Sequence, residues 1–159
     1  MNIMTPPLRP AAAELAGIAE TTSVSCIATR IRRLSRIITR VYDDAMRPLG
    51  ITASQFTLLT ELAQQDGITA VEISFTLDFE KSTLSRNLRR LIALDLIIVD
   101  RLAGGRGRGL HLTPKGQALV KEAYPVWQNA QQKAVRVMGP DSRATLDGLL
   151  QHAEKLAAA

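Results

Sequence analysis

The chain has 159 residues, 46% of them apolar, with one cysteine and a formal charge of +5 at pH 7. That length and apolar share allow one globular domain, burying on the order of two thirds of its unfolded surface, and exclude wholesale disorder. One cysteine excludes an internal disulfide. With no apolar run of membrane-spanning length and no basic-then-apolar leader, a reducing, cytoplasmic setting is expected. The cations are clustered. Six arginines fall between Arg30 and Arg47, and seven basic residues fall between Lys81 and Arg108. Such clusters suit nucleic acid or another anionic partner.

Residues 1–20 are rich in proline and alanine; Pro6, Pro7 and Pro10 disfavour an early helix. A mobile tail is expected, with at most a short helix from Ala11. Thr21 to Leu49 reads as one long helix. Its apolar positions Val24, Ile27, Ile31, Leu34, Ile38, Val41 and Ala45 recur in steps of three and four, a heptad-type seam. Such a seam packs on another helix, either of a second chain or of this one. Arg30, Arg33, Arg36 and Arg40 lie off it, and Pro48 with Gly50 ends the helix.

Thr52 to Gln65 forms the next helix, opened by the capping box T-A-S-Q, with Phe56, Leu59, Leu62 and Ala63 as its inner face. Asp66-Gly67 stops it. Thr69 to Leu77 is a short third helix with a second box, T-A-V-E, and apolar residues Val71, Ile73, Phe75 and Leu77.

Asp78 to Leu94 reads as a helix with two unlike faces, capped by Asp78. Leu84, Leu88 and Leu91 make an apolar stripe. Ser82, Ser85, Arg86 and Arg89 repeat that spacing on the other side. Hydroxyls and guanidinium groups suit phosphate oxygens and base edges, arginine binding guanine through two parallel hydrogen bonds. A solvated amphipathic face is the bland alternative. Two short helices joined by a tight turn, the second basic outside, make a helix-turn-helix.

Leu96 to Asp100 is a β-branched strand. The nine residues from Arg101 to Gly109 hold four glycines and three arginines, and Leu110 to Thr113 reads as a returning strand. Together they predict a hairpin with a basic tip, where Arg106 and Arg108 favour the minor groove; a solvated loop is the alternative. Thr113-Pro114 starts a long helix to about Met138, with a kink expected at Pro125. Gly139-Pro140 breaks it, and Asp141 to Leu156 forms a last helix with Leu146, Leu149, Leu150 and Leu156 apolar.

Four stretches in this order, RPLGITASQFTLLTEL, TLSRNLRRL, LIIVDR and LHLTPKG, resemble the MarR family of bacterial transcription regulators from about Cys26 to Leu156. The resemblance implies a mainly α fold with a small β-hairpin. That fold is a winged helix-turn-helix (residues 51–113) on a dimerisation frame of N- and C-terminal helices (21–50 and 114–159). It implies a homodimer on a palindromic operator in double-stranded DNA. Ser82, Thr83, Ser85, Arg86 and Arg89 then face the major groove, with Arg106 and Arg108 at the wing tip. One departure stands out: family wings commonly carry an acidic residue before paired arginines, whereas this wing reads Gly-Gly-Arg-Gly-Arg and is shorter, which implies looser wing contacts.

Cys26 sits near a helix start with Arg30 four residues on, an arrangement that lowers a thiol pKa and suits a redox sensor; a small apolar contact is the alternative reading. His111 and His152 lack ligand-spaced companions, so no metal is expected, and His111 is read as a packing or backbone contact. Tyr124 and Trp127 read as core or interface residues, or as walls of a cavity for the small aromatic or phenolic effector that the family resemblance implies. No catalytic constellation or phosphate-binding glycine motif stands out. The expectation is a regulator without cofactor, a repressor released by ligand or oxidation, and not an enzyme. The competing reading is a winged-helix module whose basic helix meets an acidic protein surface.

Overall fold

The structure is a computed structural model that describes residues 10–101 and 107–157. Helix α1 (Pro10–Ser25) opens the described chain, and α2 (Ile27–Met46) follows it. Proline is tolerated at the first helical turn, where its missing N–H has no partner to lose. The short helix expected from Ala11 is therefore a 16-residue helix that begins at Pro10 and runs past Thr21, and the rest of the expected tail, residues 1–9, lies outside the described residues. The single long helix expected from Thr21 is instead interrupted at Cys26. Residues up to Ile38 form one compact unit and Thr39–Ala159 another. In the first unit Leu15, Ile18, Val24, Ile27, Ile31, Leu34 and Ile37 are all exposed.

In the second unit α2 ends at the buried Met46, and a 3-10 turn from Arg47 to Leu49 closes on Gly50 at φ 72°. Helix α3 (Ala53–Gln64) carries the predicted capping box: the Gln55 N–H donates to Thr52 Oγ1 at 3.2 Å and the Thr52 N–H to Gln55 Oε1 at 3.1 Å. Its buried arc is wider than predicted. Leu58, Gln55 and Glu61 join Phe56, Leu59 and Leu62, while Ala63 is exposed. The reason is that α3 packs on three elements at once, the later helices Lys81–Ala93 and Pro114–Met138 and the strand Arg108–Leu112.

Helix α4 (Ala70–Thr76) keeps the second capping box, Thr69 with Glu72, but sends only Ile73 fully inward. Val71 and Phe75 are 80% and 91% exposed. The turn after it passes through Asp78 at φ 50°, and the Ser74 hydroxyl donates to the Phe79 carbonyl at 2.9 Å. Helix α5 (Lys81–Ala93) follows, with Leu84, Leu88 and Leu91 buried as predicted.

Strands β1 (Ile97–Arg101) and β2 (Arg108–Leu112) pair antiparallel, from Ile97 opposite Leu112 to Arg101 opposite Arg108. The hairpin is tied to the α3–α4 turn. The Gly67 N–H donates to the Leu110 carbonyl at 3.1 Å, and the Leu110 N–H to that of Ile68 at 3.0 Å.

Helix α6 (Pro114–Met138) is capped by Thr113, whose side chain accepts from the Gly116 N–H, and it runs continuously through Pro125. Gly116 is required here, because a Cβ would lie 2.1 Å from the Leu96 carbonyl oxygen. Helix α7 (Ser142–Ala157) ends the described chain. One core of Phe56, Leu59, Ile73, Leu88, Leu91, Ile97, Leu110 and their neighbours unites α3–α6 with the hairpin. Among the described residues no helix is long and apolar enough to cross a membrane.

Candidate nucleic-acid interface

Helix α5 is held at three levels before any of its outer residues matter. Its leucine stripe is buried in the core. Gln55 of α3 donates to Asn87 Oδ1 at 3.4 Å, partway along its length. At its end, three successive carbonyls are taken by the start of α6. Lys115 Nζ donates to Leu94 O at 2.7 Å, Thr113 Oγ1 to Asp95 O at 2.7 Å, and the Thr113 N–H to Leu96 O at 3.1 Å. Asp95, at φ 57°, makes the reversal between them; aspartate tolerates this left-handed backbone better than most side chains.

The predicted reading face then stands outward. Ser82, Ser85, Arg86 and Arg89 are exposed and Thr83 is half-buried. Arg86 Nη2 donates to Thr83 Oγ1 at 3.3 Å, and Arg89 Nε donates to the Ser85 carbonyl at 3.4 Å. Both guanidinium groups lie against their own helix and keep further N–H groups for another acceptor. On the wing, Arg108 opens β2 and is exposed; Arg106 lies outside the described residues.

Asp78 does not cap this helix. The cap is Glu80, whose carboxylate accepts from the N–H groups of Ser82 and Thr83 at 3.0 and 3.1 Å and from the Ser82 hydroxyl. The Ser82 hydroxyl, first of all, and these two amides hold the Glu80 carboxyl below the usual carboxylate range, and the Arg86 charge adds to this. A signal for it is present in the sequence. Phe79 and Leu84 occupy the positions just before the cap and four after it, the spacing of a hydrophobic staple. The Ser82 hydroxyl is thereby committed within the protein.

Cys26 sits half-exposed in the interruption between α1 and α2. Its thiol is lowered from its ordinary value chiefly by the Thr29 side chain, then by the Thr29 and Ala28 amides and the Arg32 charge. The cation expected to act, Arg30, instead donates to the Cys26 carbonyl at 3.5 Å. His111 is half-buried on β2. Its Nδ1 lies 2.9 Å from Asp66 Oδ1, joining β2 to the α3–α4 turn. Among the described residues no three His, Cys, Asp or Glu side chains are placed to hold a metal ion.

Tyr124 and Trp127 stack at 6.1 Å with an interplanar angle of 16°, and Trp127 packs on the core. A separate open groove of about 1160 Å³ runs beside the exposed Ser/Arg face of α5, with Val71, Phe75, Leu88, Arg89 and Ile92 in its lining. Tyr124 and Trp127 do not line it.

Comparison with known proteins agrees with this geometry. The sequence model of the MarR family matches residues 49–108, which hold α3, α4, α5 and strand β1 and end at the first residue of β2. The multiple antibiotic resistance protein MarR of Salmonella typhimurium is 32% identical over 116 residues, covering 70% of this chain and 79% of that protein. A mutant of MarR from E. coli, solved with operator DNA, superposes with a TM-score of 0.74 at 25% identity, covering 84% of this chain and 96% of that one. The M. tuberculosis regulator MosR, solved with DNA, gives a TM-score of 0.69 at 32% identity over 82% of this chain and 99% of its own.

Proposed function

Because the chain belongs to the MarR family of transcription regulators, we propose that it is a dimeric, sequence-specific DNA-binding transcription regulator. It acts as a repressor of palindromic operators, released by a small aromatic or phenolic effector or by oxidation. The observation that carries this reading is α5, where one face is locked into the core by Leu84, Leu88 and Leu91 while Arg86 and Arg89 stand exposed on the other. An exposed, rigidly mounted Ser/Arg face is what base-edge readout requires.

Residues 51–113 form the reading lobe. Ser85, Arg86 and Arg89 are its base and phosphate contacts, with Thr83 and Ser82 supporting them, and Arg106 and Arg108 reach for the minor groove. The helical segments 21–50 and 114–159 form the dimer frame. The two apolar surfaces left exposed, on α1–α2 and on α7 (Leu149, Leu150 and Leu156), support this division. The setting is the cytoplasm, where the operator is. For oxidative release the candidate is Cys26, whose partial exposure and lowered pKa favour the thiolate. A Cys26→Ser variant that still leaves DNA under peroxide removes that candidate.

Selection from a random duplex library tests the whole reading. The expected product is a palindrome with half-sites about one helical turn apart. Arg86→Ala then costs about 1–3 kcal/mol on the selected site if Arg86 reads a base. Unchanged affinity and selectivity would remove Arg86 from the interface. Failure to enrich any sequence would favour an acidic protein surface as the partner of α5.

A further inference from the structure

We propose that Glu80 is a specificity-determining residue of the DNA interface. Its carboxylate closes the amino terminus of α5 against DNA phosphate, and it braces Arg86 through Thr83. This rests on the reading of α5 as the helix that meets DNA.

The first amides of a helix lack partners within the helix and carry the positive end of its dipole, so phosphate readily binds there. In α5 two of those donors, the Ser82 and Thr83 amides, are already taken. A single oxygen, Glu80 Oε2, accepts from the Ser82 and Thr83 amides at 3.0 and 3.1 Å and from the Ser82 hydroxyl. These hydrogen bonds favour the ionised carboxylate, so at neutral pH the end of the helix presents a full negative charge. No ligand is assigned to this helix end; the inference is that one is kept off it.

Capping preference does not account for the choice. Serine, threonine, aspartate and asparagine lead at this position, and glutamate is not among them. The other side-chain-capped helices of this unit, α3, α4 and α6, all use threonine: Thr52, Thr69 and Thr113. Only α5, among these four, places the carboxylate itself at the cap, and it is the helix whose outer face carries Arg86 and Arg89.

A second consequence runs through Thr83. Its amide is held by Glu80, and its hydroxyl oxygen accepts from Arg86 Nη2 at 3.3 Å. Glu80 therefore fixes the residue on which the Arg86 guanidinium rests. Non-specific DNA binding comes almost wholly from phosphate attraction, whereas sequence is read at base edges. A fixed anion at the helix start weakens the first, and a braced arginine favours the second. Glu80 acts on the ratio between them.

The test uses the full chain and two duplexes, one enriched from a random library and one of scrambled sequence. Glu80→Ser removes the charge but keeps a favoured cap; Glu80→Asp keeps both. For Glu80→Ser, binding to the scrambled duplex tightens several-fold at low salt. Its salt slope steepens by up to about 0.9, the value for one more phosphate neutralised. Affinity for the enriched duplex stays at the wild-type level, so the specificity ratio falls by the same several-fold factor. Glu80→Asp keeps the wild-type ratio and slope. Equal weakening on both duplexes, or an unchanged slope, would reduce Glu80 to an ordinary helix cap and overturn the proposal. If the wild-type chain enriches no duplex, the DNA reading of α5 fails and takes this inference with it. If the wild type discriminates and Glu80→Ser leaves the ratio intact, Glu80 alone is wrong.

Discussion

In α5, Leu84, Leu88 and Leu91 are 4%, 9% and 0% exposed; in α2, Ile27, Ile31 and Leu34, with the same steps of three and four, are 72%, 60% and 39% exposed. The two helices carry the same kind of apolar stripe, and only one has a surface to lay it on. The α5 stripe meets α3, α4 and β1. The α2 stripe and the leucines of α7 are left to water, a costly arrangement for contiguous apolar surface unless another surface covers it. Periodicity thus reports that a face wants burial. Whether the covering surface belongs to the same chain is a separate matter, and a second copy is the proposed cover.

The contrast yields a ranked set of expectations. Leu91→Ala, fully inside the lobe, costs about 2–5 kcal/mol at any protein concentration; denaturant titration at two concentrations reads this. Leu149→Glu, on the exposed α7 surface, acts through association. It places an unpaired charge in the proposed interface and weakens the dimer by on the order of 2 kcal/mol. Sedimentation then shows monomer at concentrations where the parent is dimeric, and an unchanged dimer would move the interface elsewhere. Gly116→Ala drives a methyl into the Leu96 carbonyl and falls at the upper end of the about 1–3 kcal/mol typical of overpacking, with the α5–α6 junction loosening first in hydrogen exchange. Thr52→Ala removes one half of a capping box and costs about 1 kcal/mol, visible as a small loss of thermal stability.

The smallest effect is that of pH. Glu72 is lowered chiefly by the Thr69 amide, and Glu80 chiefly by the Ser82 hydroxyl. Because their folded values lie below the unfolded ones, their contribution is fully present above the unfolded carboxylate value. It is lost as pH falls through the lowered folded value. Melting curves taken through the acid range should show a slight loss of stability, reduced when Glu72 is replaced by Gln. A loss that begins near neutrality would point to a different group.

Local chemistry was legible residue by residue. The capping boxes at Thr52 and Thr69, the Thr113-Pro114 helix start and the leucine stripe of α5 each depend on neighbours within a turn or two, so the sequence specifies them directly. It also carried the family resemblance and the exposed basic face. What it did not carry was set by distant contacts. Leu58 is buried because α3 is surrounded on several sides. The end of α5 is fixed by Thr113 and Lys115, about 20 residues further on. The helix break at Cys26 and the transfer of the α5 cap from Asp78 to Glu80 turn on which backbone segment enters the left-handed region or leaves the helix. Those choices depend on packing around the turn, which a linear pattern does not record. Sequence determined which faces seek apolar cover and which carry charge; tertiary structure decided how far each helix runs, what fills its ends and which apolar faces the chain itself can cover.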